Sequence, residues 1–329
     1  MNIFFRLNRL RQIRQAFGQG KTLLSYLPSR AWIELTDYCN LRCPLCPNQA
    51  LPKEAKGFIA WDLYKKIIDQ LSGEVFDLNL FHRGEPLLHP KVIEMIEYGR
   101  QKDISCRIHT NATLLSESLS QRLLDSGLDM LSFSFDGAQP PDYEKNRFPA
   151  RFEETLEKIK TFLALKKERG QPRPVTILQM IRTNPADPDQ QLKKFLASLR
   201  TLGLNRVVFR RPHNWGGAIG LPAGSPLSPE PLSACTFPWY ALVVYWNGRV
   251  GPCPQDFFSR IILGDLNKQS VREVWNGPVM EKLRADLADR QYGLLKPCDQ
   301  CDRPRRQTFS GVPLEYIKTF LKENLLGYH

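Results

Sequence analysis

Seven of the eight cysteines fall into two groups whose spacing suits metal ligation. Cys39, Cys43 and Cys46 stand at C-x3-C-x2-C, directly after the apolar stretch 31–35. A loop this tight lets three thiolates converge on one inorganic centre. Four thiolates close a zinc or iron–sulfur site, whereas three leave one iron of a cubane open to bind and polarise a small molecule. A zinc knuckle that borrows its fourth ligand from elsewhere is the competing chemistry. The second group is Cys235, Cys253, Cys298 and Cys301, enough to close a coordination sphere around either structural zinc or an iron–sulfur cluster. Asn247-Gly248 marks a hairpin that carries Cys253 on its return strand, and Cys298-x2-Cys301 forms a second knuckle. Cys106 is left over in an apolar strand pattern and reads as a buried thiol. The five histidines show no metal spacing. His82 and His109 lie where proton transfer is conceivable, with hydrogen-bonded structural roles as the default.

The elements that must position these residues alternate between strand and helix periodicity from residue 31 onward. Strands are expected over 31–35, 76–81, 104–109, 130–135, 175–181 and 206–209. Helices are expected over 62–71, 91–102, 117–126, 152–169 and 190–202. Ser116 caps the third of these helices and Gly127 ends it. Six βα units in series predict an α/β fold with a parallel sheet, as a partial (β/α)6 TIM-like barrel. Such barrels place their chemistry at the C-terminal ends of strands. The polar turns fall there in order: the cysteine loop, then Arg83-Gly84-Glu85-Pro86, Thr110-Asn111-Ala112, Asp136-Gly137, Asn184 beyond strand five, and 210–215. The expected organisation is a basic amphipathic N-terminal helix within 1–30, the barrel over 31–214 and a linker over 215–234. A small cysteine-rich hairpin/helix domain over 235–310 and a C-terminal helix within 311–329 complete it.

These turns resemble the motifs of the radical S-adenosylmethionine (SAM) superfamily. In that family the three cysteines hold a [4Fe–4S] cluster whose unligated iron chelates SAM, and one electron cleaves SAM to a 5′-deoxyadenosyl radical. The resemblance covers about 31–214. It implies that Gly84, Glu85 and Pro86 match the family's GGEP turn and receive the SAM ammonium group, with Arg83 in place of the first glycine. It further implies SAM contacts at Thr110, Asn111, Ser134, Asp136, Arg147, Gln179 and Asn184, with aliphatic Leu45 before the third cysteine. Residues 235–301 resemble the shortened SPASM, or twitch, domain. This implies that Cys235, Cys253, Cys298 and Cys301 ligate one auxiliary [4Fe–4S] cluster.

The resulting expectation is a cytoplasmic radical SAM oxidoreductase that takes a hydrogen atom from an unactivated C–H bond of a sugar or cyclitol. A flavodoxin- or ferredoxin-type donor would reduce the SAM cluster, and the auxiliary cluster would accept the substrate's electron. Epimerisation or peptide maturation are the alternatives. Only 38 residues precede Cys39, fewer than the leader-binding domain of many maturases, which favours a small molecule.

Composition fits this reading. The chain has 329 residues with 42% hydrophobic and 24% charged content, ordinary for a globular protein. No apolar run approaches the ~20 residues of a membrane helix, and arginines interrupt the N-terminal apolar residues. Clustered cysteines without an export signal point to metal ligation in a reducing compartment. The net charge of +12 admits nucleic acid, an anionic membrane or an acidic substrate. No nucleic-acid-binding signature accompanies it, so a zinc-binding nucleic-acid module is the remote alternative. The N-terminal helix is expected to pack across the barrel, with peripheral membrane contact as its other use. Arg83, Arg147, Arg210 and Arg211 near the rim would suit a carboxylate or phosphate, whereas 302–306 reads as a solvated charge run.

Overall fold

The computed structural model describes residues 3–182, 190–220 and 235–306, together with the backbone of a short ribbon at 308–309 and 312–313. The six expected strands are β1 (Arg30–Ile33), β2 (Asp77–Asn79), β3 (Ser105–Thr110), β4 (Met130–Ser134), β5 (Val175–Ile181) and β6 (Arg206–Arg210). They pair in sequence order and all in parallel. Parallel strands are covered on both faces. Leu78, Ile108, Leu131 and Leu178 are accordingly fully buried. The covering helices are α2 (Trp61–Leu71), α3 (Val92–Gln101), α4 (Glu117–Asp125), α6 (Phe152–Glu168) and α7 (Gln190–Thr201). α2 shows why: Tyr64, Ile67, Ile68 and Leu71 recur at helical spacing and all face the core. Ser116 caps α4 as expected, its Oγ accepting from the Leu119 amide at 3.1 Å.

Within the barrel, one helix was not evident in the periodicity. α5 (Pro140–Asn146) is a short segment started by two prolines. It brings Arg147, its C-terminal flanking residue, back toward the ends of the strands.

The N-terminal helix α1 (Ile3–Gly18) packs through Arg9, Ala16 and Phe17. The Phe17 ring meets Trp239 edge-on at 5.2 Å, and Arg9 donates to the Leu27 carbonyl at 2.7 Å and to Glu74 at 2.5 Å.

Apart from the ribbon at 308–309 and 312–313, the strands after residue 235 do not form a sheet of their own. After α8 (Phe237–Tyr240), β7 (Ala241–Val244) pairs in parallel with β1, and β8 (Arg249–Gly251) and β9 (Gly264–Asp265) continue antiparallel. The described strands of the main sheet therefore run β6-β5-β4-β3-β2-β1-β7-β8-β9. The reason lies in β7 itself: Ala241-Leu242-Val243-Val244 is apolar at every position and buried at every position, the signature of an interior strand. Gly248, with φ +87°, supplies the hairpin turn between β7 and β8. Helices α9 (Val271–Trp275) and α10 (Pro278–Ala288) close this end. The buried Arg284 on α10 donates to the carbonyls of Pro238 and Thr22 at 2.9 and 2.6 Å. No described helix is long and apolar enough to cross a membrane. The linker residues 221–234 and the C-terminal helix expected within 311–329 lie outside the described residues, apart from the ribbon backbone at 312–313.

Candidate metal and cofactor site

Cys39, Cys43 and Cys46 lie in the loop after β1, held from several sides by hydrogen bonds to its backbone. The Arg42 amide donates to the Phe148 carbonyl at 2.7 Å, and the Cys46 amide closes a turn onto the Cys43 carbonyl at 3.1 Å. Asn48 donates to the carbonyls of Asp37 and Arg83, both at 2.8 Å, and accepts from Lys56 Nζ at 2.7 Å. The Trp215 indole donates to the Leu45 carbonyl at 3.1 Å, fastening the stretch after β6 to the loop between its second and third cysteines.

The RGEP turn after β2 presses against the start of this loop. A Cβ on Gly84 would lie 2.3 Å from the Thr36 carbonyl oxygen and 2.4 Å from that of Tyr38, so only glycine fits. The Glu85 amide donates to the Tyr38 carbonyl at 2.8 Å. Pro86 opens a buried 3-10 turn. Glu85 is buried and its carboxylate accepts from the Leu87 amide at 3.1 Å, Thr110 Oγ1 at 2.8 Å and the Asn111 amide at 2.7 Å. Burial outweighs these donors and pushes Glu85 up to about 7. A cation brought to this carboxylate would favour its ionised form, so the pocket suits an ammonium group. Asn111 Nδ2 reaches Asn40 in the cysteine loop at 2.9 Å, tying the third strand end to the first.

On the other side, Arg147 and Asp136 form a buried ion pair at 2.6 Å, and Asp136 also accepts from the Ile181 amide at 2.6 Å. Arg147 Nη1 lies 3.9 Å from the Cys43 sulfur, while its buried Nε has no hydrogen-bond partner. An unpaired buried donor beside a strongly cationic group suits a ligand carboxylate. Ser134 and Gln179 are register partners on β4 and β5. Asn184 lies outside the described residues. The structure thus joins Glu85, Thr110 and Asn111 in one hydrogen-bonded group and Asp136, Arg147 and Cys43 in another.

The donor set itself fits an iron–sulfur centre. All eight cysteines are free thiols. Burial pushes Cys39 up to about 12, Cys46 up to about 11, and Cys43 upward, and the neighbouring thiols push in the same direction on Cys39 and Cys46. Burial likewise raises Cys253, Cys298 and Cys301, the last to about 12, with Cys235 adding to each. Among the described residues no three His, Cys, Asp or Glu side chains form a group suited to one metal ion. A polynuclear centre distributes its thiolates over separate irons and supplies the positive charge that such buried thiolates need.

Several sequence expectations change in position or partner. Arg83 does not offer its charge to a substrate: it is buried and grips Glu34, because a buried charge is retained only when paired. Arg147 is likewise engaged with Asp136. The 302–306 run is not simply solvated, since Arg306 Nε pairs with the buried Asp302 at 2.7 Å and Arg303 stacks over Phe237. His82 bridges Glu34 and the Pro254 carbonyl, at 3.2 and 3.1 Å. His109 stacks on Phe81 at 4.1 Å and is driven down to about 3 by burial and the charges of Arg210 and Arg107. Cys106 is the buried thiol expected. Glu34 and Asn48 carry no role in the sequence reading, and Trp215 appears there only within the turn after the sixth strand. An inward-facing carboxylate in an apolar strand was the available signal for Glu34.

Comparison with known proteins adds two family matches. The model for the radical SAM superfamily matches residues 33–187, and that for an iron–sulfur cluster-binding domain, SPASM, matches 235–302. The chain is 28% identical over 181 residues to a cofactor-modifying protein for tungsten-containing aldehyde ferredoxin oxidoreductase from Pyrococcus furiosus, covering 54% of this chain and 49% of that protein. It is 22% identical over 280 residues to the S-adenosyl-L-methionine-dependent 2-deoxy-scyllo-inosamine dehydrogenase of Niallia circulans, covering 84% and 93%. In fold it resembles Streptococcus suis SuiB bound to its precursor peptide SuiA, with a TM-score of 0.66 at 14% identity, covering 97% of this chain and 79% of that one. The chain spans about half or less of the length of the first curated relatives it matches.

Proposed function

Because the chain belongs to the radical SAM superfamily and carries a SPASM iron–sulfur domain, we propose that it is a radical SAM oxidoreductase acting on a small polar molecule such as a sugar or cyclitol. Membership implies three cofactors: a SAM-binding [4Fe–4S] cluster, SAM and an auxiliary iron–sulfur cluster. When bound, these supply reductive cleavage of SAM, hydrogen-atom abstraction from an unactivated C–H bond, and a sink for the electron left on the substrate.

The observation that carries the reading is the separation of thiols into a set of three and a set of four. Cys39, Cys43 and Cys46 would hold the SAM-binding cluster and leave it one open position. Cys235, Cys253, Cys298 and Cys301 would close the other, which suits electron transfer rather than substrate binding. Around the first set, Glu85 would hold the SAM ammonium group, with Thr110 and Asn111 fixing its carboxylate. Arg147 would face the SAM carboxylate through its unpaired Nε and steady the Cys43 thiolate. Gly84 lets the turn approach the cysteine loop, and Trp215 fastens that loop through the Leu45 carbonyl.

Alignment along most of both chains with a 2-deoxy-scyllo-inosamine dehydrogenase supports a cyclitol-like substrate and net oxidation of an alcohol. Peptide modification is the other reading, supported by partial matches to PqqA peptide cyclases. An electron donor of the flavodoxin or ferredoxin type completes the proposed reaction.

The test is anaerobic reconstitution followed by iron and sulfide analysis and a 5′-deoxyadenosine assay with cyclitols, sugars and peptides. Roughly eight irons per chain and 5′-deoxyadenosine release stimulated by a cyclitol or sugar are expected. Stimulation by peptides alone transfers the assignment to the peptide reading. Bound zinc without SAM cleavage rejects both.

A further inference from the structure

We infer that the outer face of α1 is a docking surface for an anionic lipid bilayer, independently of the reaction the enzyme performs. The starting observation is charge. No acidic residue occurs before Glu34, whereas Arg6, Arg9, Arg11, Arg14, Lys21 and Arg30 all do, so half of the net +12 arises in the first 33 residues. The fold then sorts these cations. Arg9 turns inward to Glu74, Arg30 pairs with Asp77 at 2.6 Å, and Arg6 lies half-buried over the Phe76 ring. Arg11, Arg14 and Lys21 remain exposed.

Apolar side chains share this face. Phe4 is 75% exposed and Leu7 37%, and positions 4, 7, 11 and 14 follow one another at helical spacing along one stripe. Just past the helix end Leu23 is 60% exposed, beside Lys21. The opposite stripe, with Arg9 and Ala16, is already buried on the barrel. The outer stripe thus combines bulky, solvent-exposed apolar groups with cations alone. Nucleic acid would satisfy the cations and leave Phe4 and Leu7 in water. A protein interface of standard size takes roughly 20–30 residues a side, against exposed positions 4, 7, 11 and 14 along this stripe. The interface of an anionic bilayer rewards both features, inserting the apolar groups at headgroup depth and attracting each cation.

The test uses the full chain, loaded with its clusters and kept anaerobic, in vesicle sedimentation at about 0.1 M salt. Vesicles of phosphatidylcholine alone are compared with vesicles that also contain phosphatidylglycerol. The expected result is binding to the anionic vesicles only, weakened at least about 30-fold by combined Arg11→Glu and Arg14→Glu. Combined Phe4→Ser and Leu7→Ser should weaken it about tenfold. Phe4→Trp should show a blue shift of its emission on adding anionic vesicles. All these side chains face solvent, and an unchanged unfolding midpoint confirms that each variant is folded. Equal binding to both vesicle types, or undiminished binding of the charge-reversed variant, overturns the inference. So does failure to bind anionic vesicles, whether or not the same face mediates a dimer or retention on nucleic acid.

Discussion

Arg83 clasps both carboxylate oxygens of Glu34, with Nε 2.6 Å from Oε2 and Nη2 2.6 Å from Oε1. This buried fork joins three parts of the molecule. Glu34 follows β1 and leads into the cysteine loop, Arg83 opens the turn that carries Glu85, and Arg83 Nη1 reaches Ser259 Oγ at 3.2 Å beyond Cys253. The guanidinium also lies 4.5 Å from the centre of the Tyr245 ring, and Trp246 donates to Glu34 at 3.3 Å and to Asp37 at 3.0 Å. This charge pair thus adds to the β1–β7 pairing in linking the elements that carry the two cysteine groups.

Removing one partner of this pair leaves an uncompensated buried charge. Arg83→Met should therefore destabilise the fold by about 3–5 kcal/mol, and Arg83→Met combined with Glu34→Leu by less than Arg83→Met alone. Chemical denaturation of the four corners of the double-mutant cycle checks this. Hydrogen exchange should show the first loss of protection at 253–259.

The same pair sets an acid limit. Burial would raise Glu34, but hydrogen bonds from Arg83 and His82 dominate and hold it at about 2, below its ordinary 4.5. A carboxylate depressed in the folded state contributes stability above its unfolded pKa and loses it as pH falls through the folded one. Stability should accordingly decline between about pH 4.5 and 2 by an amount that Glu34→Gln reduces. Unfolding free energy measured against pH in both proteins decides it.

Glu85 offers a ligand-binding test. Glu85→Gln keeps the shape of the side chain and an acceptor for Thr110 or the Asn111 amide, but removes the charge. If the carboxylate holds an ammonium group, SAM should bind roughly 10- to 100-fold more weakly, the loss of one charge-assisted hydrogen bond. Equilibrium binding on cluster-loaded protein measures it. An unchanged affinity would place the ammonium group elsewhere.

The parts of this arrangement legible in the sequence are the local ones. Strand and helix periods, the Ser116 cap and the polar turn after each strand all depend on residues a few positions apart, so β1 to β6 and the Glu85, Thr110 and Asp136 turns could be placed. What escaped depends on distant partners. Arg83 meets Glu34 from 49 positions away, and nothing local distinguishes it from a solvated rim arginine. β7 joins β1 through a parallel register between residues more than two hundred positions apart, Ala31 opposite Leu242, which its apolar run permits but does not specify. α5 was hidden because a Pro-Pro start resembles a loop, and with it the means by which Arg147 reaches Cys43.

Cysteine substitutions separate the two proposed clusters. Cys46 belongs to the set of three, so Cys46→Ala should abolish 5′-deoxyadenosine formation and remove about four irons per chain. Cys301 is buried in the set of four, beside Asp302, which Arg306 pairs and which accepts from the Asn214 amide at 3.4 Å. Cys301→Ala should also remove about four irons but retain cleavage of SAM, while substrate turnover falls because the electron has no acceptor. The two variants share an iron count and differ in SAM cleavage, so a general loss of folding cannot imitate the pattern. Cleavage lost in both would mean that the second centre is required before SAM reacts, and the division of labour between the two thiol sets would fail.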